Sequence, residues 1–274
     1  MERVVLVGLG NMGRKYLKKF LELGRKPVLC DANAALRSLY PDFEFFTSFE
    51  EVGPSGEEKV VVAIRPEDHP AAARHFLRAG STVLLEKPPA PSAAEFEKLL
   101  EEFGGEKLLV SEVERYSYAV RNFSPPPDLK RIEIRRLGSG RGYINPIWDL
   151  AWHDLYLLLL LFEEVKVSAV RKEGRDHYLL LGEADGVPFS LEVAWEHPRP
   201  QRRWLLETSS LPVELDFLSE RRFEGGVKTS ERREGDKLLE AVGDLLSDNY
   251  DADSALRALR ILKLLEEVRK KEGP

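Results

Sequence analysis

Short apolar runs alternate with longer amphipathic segments through the first 110 residues. Residues 60–64 are apolar at every position, a pattern typical of a strand that is covered on both faces. Amphipathic segments such as the one that contains Tyr16 and Phe20 predict helices between the runs. This alternation predicts an α/β domain built on a parallel, doubly wound sheet. Its predicted strands are 4–7, 27–30, 43–46, 59–64, 81–85 and 108–110.

The pattern changes after Tyr118, where strand-like runs follow one another with little helix between them. Residues 132–135 alternate apolar and polar side chains, as expected for a sheet with one face in water. We therefore predict two domains, 1–118 and 119–274, the second being an α+β domain with an open, mainly antiparallel sheet. Its predicted strands are 131–137, 165–171, 178–183, 189–195, 203–207 and 213–217, and its predicted helices are 148–162 and 253–270.

Composition narrows the class of protein. The chain has 274 residues, of which 43% are hydrophobic and 32% charged, as in a soluble globular protein. No apolar run reaches the length that a membrane crossing needs, and the first predicted strand starts too early to leave room for a signal peptide. A single cysteine, Cys30, excludes an intramolecular disulfide and indicates a reducing cytoplasm. Low cysteine, methionine and glutamine content resembles the composition of thermophile proteins.

The net charge of −6 disfavours nucleic acid as the main partner, so we expect a small-molecule substrate instead. A metal site is also disfavoured, because no third ligand stands at a recognisable spacing from the acid and histidine pairs of the chain.

The first predicted strand runs directly into Gly8-Leu9-Gly10-Asn11-Met12-Gly13. In a dinucleotide-binding turn the first glycine permits a tight turn, the second lets the backbone approach a pyrophosphate, and the third lets helix and strand pack closely. Asp31 ends the second predicted strand, where a carboxylate accepts hydrogen bonds from ribose hydroxyls and repels a 2′-phosphate. The pattern predicts NAD rather than NADP, although Arg37 is near enough in sequence to serve a phosphate. An ordinary βα turn is the alternative interpretation.

Two further groups have the chemistry of a reaction site. Lys87 follows a predicted parallel strand, at the sheet edge where ligands bind in open α/β sheets. Asp149 and His153 are four residues apart, on one face of a predicted helix that Asn145 and Pro146 begin. A histidine exchanges a proton near neutral pH, as a general acid or base must. Alone, each group also fits a plain structural role.

Together these residues resemble the glucose-fructose oxidoreductase/inositol dehydrogenase/MocA-type (Gfo/Idh/MocA) oxidoreductases over nearly the whole chain. The resemblance rests on the glycine turn, Asp31, the segment from Pro66 to His69, Glu86-Lys87-Pro88, and Asp149 with His153. It implies an N-terminal Rossmann domain and a C-terminal domain on a large open antiparallel sheet. It also implies NAD(P)-dependent hydride transfer at a carbinol or carbonyl of a sugar, polyol or related small molecule.

The resemblance implies a role for each residue. Lys87 would contact the reacting hydroxyl, Asp149 would orient the substrate, and His153 would be the general acid/base. Glu86 would orient its loop, and the Lys87–Pro88 bond resembles one that is often cis in the family. The implied cofactor-binding residues are Gly8, Gly10, Asn11, Met12, Gly13, Asp31, Arg65, Pro66, His69, Glu86 and Lys87. Candidate substrate contacts are Arg115, Tyr116, Trp148 and Trp152. Family members often pair through the outer sheet face, so a homodimer or homotetramer is expected.

Three features depart from the family pattern. Arg65 stands where a small or polar residue is usual, Glu114 stands where an amide is common, and the chain is short, which predicts a trimmed second domain. They motivate an alternative hypothesis, a non-catalytic NAD(H)-binding sensor or scaffold with the same fold. A third hypothesis keeps the enzyme but gives it an imino or amino substrate.

Overall fold

The computed structural model describes residues 3–140, 142, 144–231 and 236–271. Its strands are β1 (Val4–Val7), β2 (Val28–Cys30), β3 (Phe45–Phe46), β4 (Lys59–Val62), β5 (Thr82–Leu85), β6 (Leu108–Val110), β7 (Leu129–Ser139), β8 (Val165–Gly174), β9 (His177–Ala184), β10 (Val187–Ala194), β11 (Glu196–Thr208), β12 (Val213–Asp216), β13 (Arg221–Glu224) and β14 (Val227–Glu231). Its α-helices are α1 (Asn11–Glu22), α2 (His69–Ala79), α3 (Ala93–Phe103), α4 (Trp152–Leu161), α5 (Lys237–Leu246) and α6 (Ser254–Lys271).

The chain divides into two compact units. One comprises Met1–Glu112 with Leu238–Leu259, and the other Val113–Lys237 with Arg260–Pro274. The units differ from the predicted domains 1–118 and 119–274, because most of α5 and the start of α6 return to the first unit. Hydrogen bonds from this returning segment explain the difference: Ser254 Oγ accepts from the Val110 amide at 3.2 Å, and the Tyr250 hydroxyl donates to the Val110 carbonyl at 3.3 Å.

The described residues of the first unit form a six-stranded sheet in the order β3-β2-β1-β4-β5-β6, and its neighbouring strands are all parallel. The predicted doubly wound sheet is confirmed. Strand order reverses between β1 and β4, and ligands of such sheets bind at this switch point, beyond the carboxyl ends of the strands. Val5, Leu6, Val60 and Val61 are fully buried there, as the continuous apolar runs predict.

The described residues of the second unit form an eight-stranded sheet in the order β14-β13-β12-β11-β7-β10-β9-β8. All its neighbours are antiparallel except β7 and β10, so the predicted open, mainly antiparallel sheet is confirmed. The strands β13 and β14 were not predicted, because they are mainly polar and show no apolar alternation: Val227, one of their few apolar side chains, is exposed.

The helix predicted at 148–162 is wrong at its start. Residues Ile147–Ala151 form a π-helical turn, and the α-helix begins only at Trp152. After its first turn, which contains His153 and Asp154, helix α4 is apolar around its circumference, and Leu155, Leu157 and Leu158 are fully buried. A helix that is hydrophobic on all sides belongs in a core.

The glycine turn depends on one backbone contact. A Cβ on Gly13 would overlap the Gly8 carbonyl oxygen, whereas a Cβ on Gly10 would meet no atom within 4 Å. We expect Gly13→Ala to lower the free energy of unfolding of the cofactor-free protein by on the order of 3 kcal/mol, because the overlap must be relieved by moving backbone. Gly10→Ala is the matched control, with an expected loss of at most about 1 kcal/mol for the poorer helix cap. Urea unfolding followed by circular dichroism measures both, and equal losses would contradict this account.

Candidate functional site

The glycine turn and the start of α1 form a cradle of backbone groups. Gly8 has a φ of 97°, which favours glycine, and its amide donates to the Cys30 carbonyl oxygen at 2.7 Å. Gly10 precedes α1 in an extended conformation with no side chain capping the helix. The first amides of α1 therefore have no intrahelical or side-chain partner, and together with the helix dipole they suit an anion. Asn11 is exposed and Met12 half-buried at this helix start.

Asp31 is bound to the same turn. Its Oδ2 accepts from the Leu9 amide at 2.7 Å, and its Oδ1 accepts from the Asn33 amide at 2.9 Å. Each carboxylate oxygen retains an acceptor position, as ribose hydroxyls would require. Arg37 donates instead to the Phe45 carbonyl oxygen at 3.1 Å, and its guanidinium lies 5.7 Å from the centroid of the Phe45 ring. The turn, the open space at Gly10 and Asp31 thus fit a dinucleotide.

The segment after β4 contains one buried and one exposed candidate. Arg65 has 81% of its side chain exposed and pairs with Asp68 at 3.1 Å, while Pro66 is half-buried. His69 is only 1% exposed, and its Nδ1 lies 3.0 Å from the Pro88 carbonyl oxygen. Because a carbonyl oxygen only accepts, Nδ1 carries the proton of this bond. His69 is therefore placed to support the Lys87–Pro88 segment.

The Glu86 carboxylate fixes the backbone at Lys87. The Lys87–Pro88 peptide is cis, as the family resemblance implies. Glu86 Oε1 accepts from the Tyr16 hydroxyl at 2.6 Å, and Oε2 accepts from the Lys87 amide at 3.2 Å. Burial, followed by the charge of Glu86, raises the pKa of Tyr16 well above its usual value, so its hydroxyl stays a donor. The Tyr16 hydroxyl also lies 2.7 Å from Ser111 Oγ. Tyr16 therefore links α1 to the residues that directly follow β5 and β6.

In the second unit, Asn145 caps the start of the helical segment that contains Asp149 and His153, as predicted. Its Oδ1 accepts from the Ile147 amide at 2.8 Å. Asp149 lies in the π-helical turn, and His153 is the second residue of α4. Both side chains are half-buried. Within residues 150–159, all of which the structure describes, His153 alone is not buried. A π-helical turn inserted next to an α-helix is frequent at functional sites.

Sequence reasoning did not find a buried charge network beside His153. The Arg136 guanidinium donates to Asp154 Oδ2 at 2.6 Å through Nε and to Glu114 Oε1 at 3.1 Å through Nη1. Asp154 Oδ1 also accepts from Trp204 Nε1 at 2.8 Å. A signal was present, because Arg136 continues the alternation of Ile132 and Ile134 and so falls on the buried face of β7.

Glu114 links Arg136 to a second cation of the network. Its Oε2 accepts from Lys237 Nζ at 2.7 Å, and Lys237 also pairs with Glu220 at 2.7 Å. Burial raises the pKa of Glu114, but electrostatic interactions with Arg136, Lys237 and His153 lower it by a larger amount. The pKa of Glu114 therefore lies well below its usual value. Glu114 is therefore ionised although it is buried.

The four predicted substrate contacts differ in accessibility. Trp152 is fully buried, so its ring is part of the core and the predicted stacking on a substrate is corrected. Tyr116 is buried, and the Arg115 guanidinium lies 5.2 Å from the centroid of its ring. Trp148 and Arg115 are half-buried. Among the four, these two present the most surface to a ligand.

The candidates are divided between the units. The glycine turn, Asp31, Arg65, Pro66, His69, Glu86 and Lys87 belong to the first unit, and Arg115, Tyr116, Trp148, Asp149, Trp152 and His153 belong to the second. Over the described residues, no three His, Cys, Asp or Glu side chains cluster in a way that could hold a metal ion. None of the described helices combines the length and the apolar composition that a membrane crossing requires.

Comparison with known families identifies the class. Residues 2–112 match the sequence model of the Gfo/Idh/MocA group, described as "Oxidoreductase family, NAD-binding Rossmann fold". The predicted resemblance to the Gfo/Idh/MocA oxidoreductases is therefore confirmed over this N-terminal part of the chain. No curated protein matches the sequence.

Solved structures share the fold of the whole chain. UDP-N-acetylglucosamine 3-dehydrogenase GnnA from Acidithiobacillus ferrooxidans is 21% identical, with a TM-score of 0.83 over 99% of this chain and 97% of that one. The WlbA dehydrogenase from Bordetella pertussis, in complex with NADH and UDP-GlcNAcA, is 17% identical, with a TM-score of 0.75 over 98% and 96%. A 3-ketoreductase from Actinomadura kijaniata, in complex with TDP-benzene and NADP, is 15% identical, with a TM-score of 0.75 over 99% and 98%. At these identities the likeness shows the fold alone. Because nearly all of each structure is matched, the predicted trimming of the second domain is wrong with respect to them.

The buried His69 predicts a pH dependence of stability. Burial lowers its pKa from 6.5 to about 4. As the pH falls, the unfolded chain therefore binds the proton before the folded chain does. The contribution of His69 is complete above pH 6.5 and is lost towards pH 4, a change of roughly 3 kcal/mol.

We expect His69→Asn, whose amide can replace the Nδ1 donor, to make the loss of stability between about pH 7 and pH 4.5 smaller by roughly 2 kcal/mol. Urea unfolding at the two pH values measures this. The control is His75→Asn, in the same helix, whose Nε2 bonds to the Val52 carbonyl at 2.9 Å. The same reduction in both variants would show that His69 is not the titrating group.

Proposed function

We propose that this protein is an NAD-dependent dehydrogenase or reductase that transfers a hydride between the nicotinamide and a carbinol or carbonyl of a sugar, polyol or related small molecule. The observation that carries the proposal is His153, which alone is not buried within residues 150–159, a range that the structure describes in full. It occurs in a chain whose first unit has the family's dinucleotide turn and a supported Lys87. The turn would bind the cofactor, Lys87 would stabilise charge, and His153 would exchange the proton.

Each catalytic candidate has a defined task. In the oxidation direction, His153 takes the proton of the substrate hydroxyl, since a carbinol releases hydride readily only as its O–H proton departs. The Lys87 ammonium stabilises the negative charge that develops on that oxygen. Asp149 orients the substrate by accepting a hydrogen bond from a neighbouring hydroxyl. In the reduction direction the same groups return the proton.

The cofactor would be held by residues of the first unit. The amides at the start of α1 and the space at Gly10 suit the pyrophosphate, and Asp31 suits the ribose hydroxyls. Arg65, Pro66, His69, Glu86 and Lys87 would line or support the nicotinamide end. Bound there, the nicotinamide supplies or accepts the hydride. We propose NAD rather than NADP, because Asp31 would repel a 2′-phosphate and Arg37 is engaged by Phe45.

The named activities of similar structures suggest where to look for the substrate. Two of them carry UDP-sugar names or ligands, and a third was solved with a TDP compound. We therefore propose that nucleotide-linked sugars be tested first, beside free sugars, polyols and amines. Arg115 and Trp148 are the proposed contacts, Arg115 for an anionic group and Trp148 for a sugar face. We further propose a homodimer or homotetramer that acts in the cytoplasm.

The catalytic assignment predicts losses in turnover. We expect Lys87→Met and His153→Asn each to lower kcat on the best substrate by about 10²–10⁴-fold, as for loss of an acid/base or charge-stabilising group. Binding of NADH should persist, because the glycine turn is untouched. Nicotinamide absorbance measures turnover, with Lys98→Met on the exposed face of α3 as the control. Unchanged kcat in both variants would refute the assignment. Turnover of amines but not of carbinols would replace the substrate class.

The cofactor assignment predicts a change in preference. We expect Asp31→Asn to lower the ratio of kcat/KM for NAD to that for NADP by about tenfold or more, because a like-charge contact is removed while the amide oxygen can still accept from Leu9. Asp42→Asn, an exposed acid nearby in the chain, is the control and should leave the ratio unchanged. A wild-type preference for NADP, or an unchanged ratio in Asp31→Asn, would contradict this role.

A further inference from the structure

A buried hydroxyl joins α1 to the residue that follows β5. Tyr16 lies in α1, three residues after Gly13, and none of its side chain is exposed. Its hydroxyl lies 2.6 Å from Glu86 Oε1 and 2.7 Å from Ser111 Oγ, and both of these residues are buried as well. Packing alone does not require this hydroxyl, because phenylalanine has the same ring. Its polar partners are therefore the guide to its use.

The hydrogen bonds of the Tyr16 hydroxyl have defined directions. A carboxylate oxygen accepts, so Tyr16 gives its only hydroxyl proton to Glu86, and Ser111 donates to the Tyr16 oxygen. Burial, followed by the charge of Glu86, raises the pKa of Tyr16 well above its usual value, which keeps this proton on the tyrosine. The bond to Glu86 is buried, so water does not compete for it. Glu86 Oε1 therefore has a fixed partner in α1.

The other oxygen of Glu86 is bound to the backbone of Lys87. Oε2 accepts from the Lys87 amide at 3.2 Å, so the two carboxylate oxygens have different partners. Glu86 is itself fixed by the sheet, because its amide donates to the Val62 carbonyl at 2.9 Å. One residue further on, His69 Nδ1 donates to the Pro88 carbonyl at 3.0 Å. The backbone at Lys87 is thus held at its own amide and at the carbonyl of the next residue.

We propose that Tyr16 is a positioning residue, whose hydroxyl fixes Glu86 and thereby places Lys87 against the reacting oxygen of the substrate. This inference rests on the proposed function, since the placement of Lys87 matters only if its ammonium stabilises charge on that oxygen. A misplacement of about 1 Å can cost about 10²-fold in rate, so a restraint on the backbone is sufficient to affect turnover. Because α1 begins at the glycine turn, one helix then serves both the cofactor and the lysine.

The two partners of the Tyr16 hydroxyl allow a matched test. Tyr16→Phe removes the bond to Glu86, whereas Ser111→Ala removes the other bond and leaves the one between Tyr16 and Glu86 in place. We expect Tyr16→Phe to lower kcat on the best substrate by about 10–100-fold. Its KM for NAD should stay within about threefold of wild type, because the glycine turn is untouched. Ser111→Ala should keep kcat within about threefold of wild type.

Stability distinguishes positioning from a merely structural role. Each variant loses one buried hydrogen bond, so thermal unfolding followed by circular dichroism should show a similar decrease in Tm for both. Only Tyr16→Phe should combine that decrease with a large loss of kcat. Equal losses of kcat in the two variants, or wild-type kcat in Tyr16→Phe, would overturn the proposal.

A double variant separates this proposal from the proposed function. In the Lys87→Met background, Tyr16→Phe should cause no further loss of kcat, because its effect passes through Lys87. Full additivity would overturn the role of Tyr16. If Lys87→Met alone kept wild-type turnover, the proposed function itself would fail. If Lys87→Met lost turnover but Tyr16→Phe did not, this inference alone would fail.

Glu86→Gln tests the same link should Tyr16→Phe not fold. An amide has one acceptor oxygen, so its two terminal atoms cannot both accept, one from the Tyr16 hydroxyl and the other from the Lys87 amide. We expect Glu86→Gln to lower kcat by at least about fivefold, with KM for NAD again within about threefold of wild type. Wild-type kcat in Glu86→Gln would overturn the proposal.

Discussion

The close approach of α1 to the turn after β1 is the constraint on which the first unit depends. No Cβ fits between Gly13 and the Gly8 carbonyl, so the helix start is fixed by backbone against backbone. This placement brings the first amides of α1 to the carboxyl end of β1. It also allows the hydrogen bond from the Leu9 amide to Asp31 and the one from the Tyr16 hydroxyl to Glu86. One packing contact therefore positions both the phosphate-binding amides and the support of Lys87.

The second unit fixes its candidate residues by a different means. The planar guanidinium of Arg136 joins β7, the segment with Glu114 and the first turn of α4. A guanidinium offers donors in a rigid fork, so its bonds specify direction as well as attraction. Buried ion pairs add little stability, but they leave few alternative arrangements for the groups they join. The first unit thus positions its candidate residues by steric exclusion, and the second unit by directed ion pairs.

Local pattern was sufficient for some elements and insufficient for others. The strands of the first sheet were predicted because burial on both faces produces unbroken apolar runs. The turn was predicted because Gly8 and Gly13 answer steric demands at their own positions, while Gly10 leaves open space that a pyrophosphate can approach. The strands β13 and β14 escaped prediction because they lie at a sheet edge and are mainly polar. They pair with strands adjacent in the chain, so only their polar composition, not a long-range pairing, concealed them.

The candidate sites show the same division. Lys87, Asp149 and His153 could be named from spacing and family resemblance, and the cap at Asn145 from its residue type. The contacts of Tyr16 and Glu114 could not be predicted, because their partners Glu86, Arg136 and Lys237 lie far away in sequence. The π-helical turn at Ile147–Ala151 was also missed, since its residues have ordinary helical periodicity.

The hypothesis of a non-catalytic sensor loses its original support. Its three motives were Arg65, Glu114 and a trimmed second domain. Arg65 is exposed and paired with Asp68, Glu114 is ionised within a buried network, and the second unit has a full sheet matched over nearly the whole length of similar structures. A protein that only bound the cofactor would need the first unit's turn and Asp31, but it would have no use for a supported Lys87 or for a partly exposed histidine on a buried stretch of helix. Both side chains have the chemistry that proton transfer and charge stabilisation at a carbinol require.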